Sequence, residues 1–373
     1  MKSLKFLLLI LMLFFLAVAC DGLKKAKNIF ETSPRLQYER SFAGSDLLIN
    51  QWKTNYSVAR NTQLTIQDGF SAAVPADSIS LHAFGYLVEV KKGDLLIIET
   101  VRDHSDSKIF VDVFAESSAE DSAESNLINE NRFTKLIDHS GIHHMIIQPE
   151  IQYTGKLTFK IYTQPSLGFP VAGKGNRDVQ SFWGASRDGG GRSHEGVDIF
   201  AARGTPVVAV SNGLVTRTGN QGLGGKQVWL RDQSSGEAYY YAHLDSILTA
   251  GGKKVRINDT LGFVGNTGNA AGGPPHLHFG IYTSGGAADP YPYIRTREIP
   301  KVTKVSDQIR SIETIIKAKS KIYAGVGENY EVLLKTETKA KAKVLAVCGK
   351  WVQVIISDGT EGFILKERLD PNK

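Results

Sequence analysis

The sequence predicts a mainly β protein built as three successive β units. Three observations predict it. Short β-branched runs bounded by turn residues fill the stretch before residue 166, a Gly-rich middle segment alternates apolar and polar residues with period two, and an Asp-Gly hairpin pattern closes the chain. At 373 residues the chain exceeds what one core usually holds, so several units are expected. A composition of 42% hydrophobic and 22% charged residues excludes wholesale disorder.

The chain opens with Lys2 and Lys5, an apolar run from Phe6 to Val18, and the small residue Ala19 before Cys20. That order of charge, apolar core and small residue is a secretory signal peptide over residues 1–19, too short to span a bilayer comfortably. The stretch Leu16-Ala17-Val18-Ala19-Cys20 resembles a bacterial lipobox, which implies cleavage before Cys20 and lipidation of its thiol. Residues 20–40 then form a polar tether. The other cysteine is Cys348, so an acylated Cys20 leaves no intramolecular disulfide. Cys348 lies in the apolar run Val344-Leu345-Ala346-Val347-Cys348, which predicts a small buried hydrophobe.

Residues 41–166 predict a β-sandwich. Leu87-Val88-Glu89-Val90 and Leu95-Leu96-Ile97-Ile98-Glu99-Thr100-Val101 flank a Lys92-Gly93-Asp94 turn, and Lys156 to Tyr162 alternates with period two. The pair His143-His144 carries no metal reading, because neighbours on a strand face opposite sides. Residues 167–298 form the second unit, closed by Asp289-Pro290-Tyr291-Pro292, and 299–312 form a linker. Residues 313–373 again predict short strands. Trp351-Val352-Gln353-Val354-Ile355-Ile356, Ser357-Asp358-Gly359 and Gly362-Phe363-Ile364 read as a hairpin. The net charge of +6 is concentrated after residue 300, where 14 Lys/Arg face 9 Asp/Glu. For an exported chain this favours an anionic wall polymer over nucleic acid.

Chemistry concentrates in the second unit. Four of the nine histidines lie there: His194, His243, His276 and His278. In His194-Glu195-Gly196-Val197-Asp198-Ile199-Phe200, apolar Val197 and Ile199 alternate with polar neighbours, and a strand places His194 and Asp198 on one face. In His276-Leu277-His278-Phe279-Gly280-Ile281-Tyr282, the two histidines share one face and the apolar residues share the other. Two such antiparallel strands present His, Asp and two His on one surface. Two histidines and one carboxylate with an open fourth position make a catalytic zinc arrangement. Further imidazoles, such as His243 in Tyr239-Tyr240-Tyr241-Ala242-His243-Leu244, are free for proton chemistry.

The pattern His-x(3)-Asp, a later lone His, then His-x-His resembles the lysostaphin-type or LytM family of zinc endopeptidases over residues 180–292. Phe182-Trp183-Gly184, Gly204-Thr205-Pro206-Val207 and Gly262-Phe263-Val264-Gly265-Asn266-Thr267-Gly268 match as well. The resemblance implies a central antiparallel-sheet LytM-type peptidase domain holding one Zn2+ per chain. His194, Asp198 and His278 match its metal ligands, and His243 and His276 its two catalytic histidines. It implies hydrolysis of peptide cross-links in peptidoglycan. Two departures bear on the groove: Pro274-Pro275 before His276, and Gly280 where Glu is common. Any of Tyr239, Tyr240 and Tyr241 that faces outward could donate to an oxyanion. The C-terminal pattern resembles bacterial SH3-like barrels, which implies either cell-wall binding or a purely stabilising role.

The expected protein is therefore a peptidoglycan hydrolase of the cell envelope, exported and held to the membrane through its N-terminal lipid. Two alternatives compete with that reading. One is a catalytically inactive LytM-type lipoprotein that activates a separate cell-wall amidase; such proteins lack metal ligands. The other is a peptidase acting on protein chains, such as glycine-rich ones.

Overall fold

The computed structural model describes residues 33–76, 81–104, 106–116, 125–128, 130–303 and 312–370. The signal peptide and Cys20 lie outside them. Among the described residues no helix is long and apolar enough to cross a membrane.

The described residues are mainly β, but the first described elements are helices. Pro34–Ser41 and Asp46–Arg60 stand where the sequence reading placed the end of a tether and the start of a sandwich. Their local causes are plain. Ser33 and Ser45 cap the two N-termini, accepting from the amides of Leu36 and Leu47, and Pro34 occupies a first-turn position that needs no amide donor. Leu48, Trp52, Tyr56 and Ala59 recur at helical spacing, and Trp52 is fully buried. Arg35 pins the first helix through a buried ion pair of 2.7 Å with Asp112, its guanidinium lying 4.1 Å from the Tyr56 ring.

Two sheets follow. One is five-stranded, with Gly141–Pro149 between Phe84–Val90 and Ile109–Ala115. On it His143 is buried and His144 stacks on Phe114 at 5.1 Å, so the adjacent histidines have separate surroundings. The second sheet has ten strands and joins both ends of the chain. Phe70–Val74 pairs with Leu157–Pro165 on one side and with Ala340–Cys348 on the other, through Ala73 opposite Val347. The Thr65 amide also donates to the Ala324 carbonyl at 2.7 Å. The sequence reading treats residues 313–373 as a unit of its own; here its strands continue an N-terminal sheet.

The reason is apolar. One core contains Phe70, Tyr86 and Phe159 from the first segment with Tyr323, Cys348, Trp351 and Phe363 from the last. Phe70 and Phe363 meet edge-on at 6.3 Å. A buried polar chain crosses the same junction: the Tyr86 hydroxyl donates to Gln353 at 2.7 Å, and Gln353 donates to Glu361 at 2.6 Å. The Asp358-Gly359 hairpin forms between Trp351–Ile356 and Glu361–Leu365, with Gly359 at φ 91°, a conformation that favours glycine.

The central unit leaves this framework and returns to it at nearly one point. The Leu167 amide donates to the Tyr293 carbonyl at 2.9 Å, and Gln164 donates to the Arg297 carbonyl at 2.9 Å. Arg297 closes the junction with Asp94 at 2.8 Å and Asp68 at 3.3 Å. Adjacent ends are what an inserted domain needs. Within the unit, an eight-stranded antiparallel sheet runs from Val179–Ser181 through Val197–Phe200, His276–Thr283 and Ala238–Ala242 to Lys226–Asp232, Gly213–Asn220 and Lys254–Val255, with Gly286–Ala288 beside His276–Thr283. Its core face carries Val197, Ile199, Tyr239, Tyr241, Leu277, Phe279 and Ile281, all at most 1% exposed. The opposite face is left for the polar residues between them.

Phe363→Ala tests the shared core. Truncating a fully buried Phe costs about 3–5 kcal/mol, and amide exchange should accelerate in residues 70–74 and 84–90 as well as in the C-terminal strands. Acceleration confined to residues 313–370 would show two independent cores.

Candidate functional site

Antiparallel pairing of Val197–Phe200 with His276–Thr283 sets Asp198 directly opposite His278 and Phe200 opposite His276. Directly paired residues share a face, so the alternation in both segments brings Asp198, His276 and His278 to one surface. His194 arrives differently. The strand begins at Val197, and His194 lies in the link before it, after the short Arg192–Ser193 strand. Its backbone is fixed by amide donation to the Ala185 carbonyl at 2.9 Å, and its carbonyl accepts from Gly184 at 2.9 Å. Gly196 has to lack a side chain, since a Cβ there would lie 2.6 Å from the His278 ring and 2.6 Å from the Phe279 carbonyl oxygen.

Three ligand atoms converge. His194 Nε2, Asp198 Oδ1 and His278 Nδ1 are each 3.0 Å from the other two. His194 Nδ1 donates to the Phe182 carbonyl at 2.9 Å, which leaves Nε2 with its lone pair toward the carboxylate. One proton can serve a single edge of this triangle, whereas a cation serves all three vertices. The donor set of two imidazoles and one carboxylate fits a divalent metal. Burial works against the Asp198 charge, yet in the metal-free site protonation of His194 and His278 would give the carboxylate hydrogen-bonded cationic partners, which hold its carboxyl far below the usual range. Burial pushes the His278 imidazole down.

His243 and His276 stand beside the triangle, with ring centroids 5.1 Å apart; the His243 ring is 5.9 Å from that of His278. Both carry the same restraint. His243 Nδ1 donates to the Thr267 carbonyl and His276 Nδ1 to the Pro274 carbonyl, each at 2.9 Å. Each neutral ring is thereby fixed with Nε2 as the acceptor. The second proline of Pro274-Pro275 leaves this restraint intact. His243 follows the Ala238–Ala242 strand and is not part of it. Its φ of 63° is a strained left-handed conformation, secured by amide donation to the Gly224 carbonyl at 2.8 Å. Burial and the neighbouring imidazoles lower its pKa to about 4.

The three tyrosines are now distinguishable. Tyr239 and Tyr241 are buried, and the Tyr241 hydroxyl accepts from the Val210 amide at 3.1 Å. Tyr240 faces the groove, its ring 5.9 Å from His278, and burial raises its phenol to about 12. Gly224 makes room for it, since a Cβ there would lie 1.8 Å from the Tyr240 hydroxyl. The five residues and Tyr240 line one groove of about 790 Å3, which also includes Ser181, Arg187 and Tyr282. Gly280 sits opposite Tyr240, with no side chain between the tyrosine and the groove floor.

Sequence reasoning did not single out Arg187 or Ser181. Arg187 Nη2 donates to Asp198 Oδ2 at 2.5 Å and to Ser181 Oγ at 2.7 Å. Nothing in the local pattern marks a hairpin arginine as the partner of a carboxylate eleven residues on.

Residues 192–290 match the model of Peptidase family M23. The L-Ala--D-Glu endopeptidase of Bacillus subtilis is 36% identical over 155 residues, 38% of this chain and 47% of that protein. The DD-carboxypeptidase/endopeptidase Mpg of Neisseria meningitidis is 39% identical over 99 residues, 26% of this chain and 22% of that protein. The chain spans less than half the length of these curated relatives. Among solved structures, the catalytic domain of lysostaphin from Staphylococcus simulans is 30% identical, covering 31% of this chain and 92% of its own, with a TM-score of 0.29.

The lowered imidazoles give a pH dependence to the metal-free protein. His243 stays neutral in the folded state down to about pH 4, while an unfolded histidine protonates near 6.5. The unfolded chain therefore takes up the proton first, and stability falls as pH drops from about 6.5 toward 4. Denaturant melts of the chelator-treated protein at pH 7.5 and 5.5 should show this loss, and His243→Gln should reduce it. Equal pH dependence with and without His243 would refute the assignment.

Proposed function

We propose, from a chain whose residues 192–290 match the model of Peptidase family M23, a zinc-dependent endopeptidase that hydrolyses peptide cross-links of peptidoglycan. The observation that carries the reading is the convergence of His194 Nε2, Asp198 Oδ1 and His278 Nδ1 beside two further imidazoles whose Nδ1 atoms are held by backbone carbonyls. His194, Asp198 and His278 would hold one Zn2+ per chain. When bound, the ion supplies Lewis-acid activation for attack on the peptide carbonyl.

The remaining work belongs to the chain. His243 and His276 act at Nε2, taking a proton from the attacking water and returning one to the leaving amine. Their Nδ1–H donations to Thr267 and Pro274 keep each ring in the tautomer that can accept. Tyr240 holds its proton at neutral pH and is placed to donate to the developing oxyanion. The groove takes an extended peptide, and its relatives named for endopeptidase activity support a wall peptide as the substrate class. An inactive amidase activator is disfavoured, because the whole five-residue set is present.

In this reading Cys20 carries the lipid that anchors the exported protein to the membrane of the cell envelope, and the basic residues after position 300 favour contact with an anionic wall.

Digestion of purified peptidoglycan, with mass spectrometry of the released ends, tests the activity and identifies the bond. Asp198→Ala should lose most zinc and most hydrolysis; full retention of both would refute the ligand set. His243→Ala and His276→Ala should keep near-stoichiometric zinc and lose about 100- to 1,000-fold in turnover. Zinc lost in His276→Ala but kept in His278→Ala would mean the two roles are exchanged. Cys20→Ala should move the protein out of the membrane fraction, and unchanged fractionation would count against the anchor.

A further inference from the structure

The Asp198 carboxylate is engaged on both sides. Oδ1 faces His194 and His278. Oδ2 accepts from Arg187 Nη2 at 2.5 Å, a charge-assisted bond to a residue that is only 6% exposed. The same Nη2 reaches Ser181 Oγ at 2.7 Å, and Ser181 Oγ lies 3.4 Å from His194 Nδ1. Ser181 in turn pairs with Asp198 in the sheet register.

The topology gives this contact a consequence. Arg187 and His194 belong to one hairpin. Ser186–Arg187 pairs with Arg192–Ser193, and His194 follows directly. Asp198 belongs to the neighbouring strand of the main sheet. The arginine therefore ties the element that delivers one converging atom to the element that delivers the next. The link between the two, Glu195-Gly196, is short and includes the glycine that His278 requires.

We infer that Arg187 is a positioning residue for the metal centre: it occupies Asp198 Oδ2, so that the carboxylate presents Oδ1 alone, and it fixes the His194 hairpin at the distance the ligand set needs. The inference rests on the metal reading of the site given above. Two effects oppose each other here. A guanidinium draws charge from the carboxylate and weakens it as a ligand, whereas a carboxylate held in one rotamer with one free oxygen binds without reorganising. Outer partners of metal ligands typically raise affinity by about 10- to 100-fold, so positioning wins. Both bonds leave one nitrogen, Nη2, held in the plane of a guanidinium at the end of its stem, and the shorter-reaching, freely rotating ammonium of lysine reproduces that placement only in part.

The test compares wild type, Arg187→Ala, Arg187→Lys and Ser181→Ala. Zn2+ affinity is read by competition with a chromophoric chelator, and geometry by the visible spectrum of the Co2+-loaded protein. The side chain of Arg187 is one third exposed, so Arg187→Ala should fold. It should bind Zn2+ about 10- to 100-fold more weakly with an altered Co2+ spectrum, and Arg187→Lys should recover part of the affinity. Should Arg187→Ala not fold, Ser181→Ala, which deletes one hydroxyl, carries the test and should weaken Zn2+ in the same direction. Wild-type affinity and spectrum in the folded variants would overturn the inference while leaving the ligand set intact. A wild-type protein whose metal binding does not depend on Asp198 would overturn the metal reading, and the inference with it.

Discussion

Three lone pairs aimed at one point between two antiparallel strands set the terms for the central unit. Asp198 and His278 face each other across the strand register, and a slip of one residue in either strand would turn its ligand toward the apolar core. Val197, Ile199, Leu277, Phe279 and Ile281 on the reverse face prevent that slip by burying completely. The hydrophobic effect thus determines the position of the polar atoms: the core fixes the register, and the register places the site. The result is three mutually close ligand atoms, which a single divalent cation can engage together.

Around that point the chain spends conformational strain and missing side chains to hold orientation. His243 adopts a left-handed backbone, Gly196 yields its Cβ to His278, and Gly224 yields its own to Tyr240. Two carbonyls, from Thr267 and Pro274, determine which nitrogen of each outer imidazole is available. The framework behind it is a composite of both chain ends. The first and last segments share a core, so the central unit is presented as an insertion with both ends on one edge, stapled by Arg297 between Asp94 and Asp68. Loss of the last segment would therefore reach the mounting of the site as well as its own strands.

Much of the site was legible in the sequence because it is written with period two. His276-Leu277-His278-Phe279 and Val197-Asp198-Ile199 disclose both the core face and the polar face within a few residues. His194 and His243 were legible as residue types but not as geometry. Each lies just outside a strand, where the alternation rule gives no direction and only tertiary hydrogen bonds decide. Arg187 was illegible for the same reason: its partner is set by a hairpin fold, not by spacing. At fold level, the helices at Pro34–Ser41 and Asp46–Arg60 carried readable signals in Ser33-Pro34 and Ser45-Asp46, and the Leu48, Trp52, Tyr56 spacing is helical. The union of the first and last segments had no local signal at all. Ala73 and Val347 meet across more than two hundred residues, and nothing in either apolar run names the other.

X-ray absorption at the zinc edge of the purified protein tests the central claim most directly, because it reads the donor set without relying on substrate or turnover. Two imidazole nitrogens and one carboxylate oxygen with an additional oxygen donor, at zinc–ligand distances near 2.0–2.2 Å, is the expected result. A first shell with three or four imidazoles, with sulfur, or with no bound zinc at all would contradict the account.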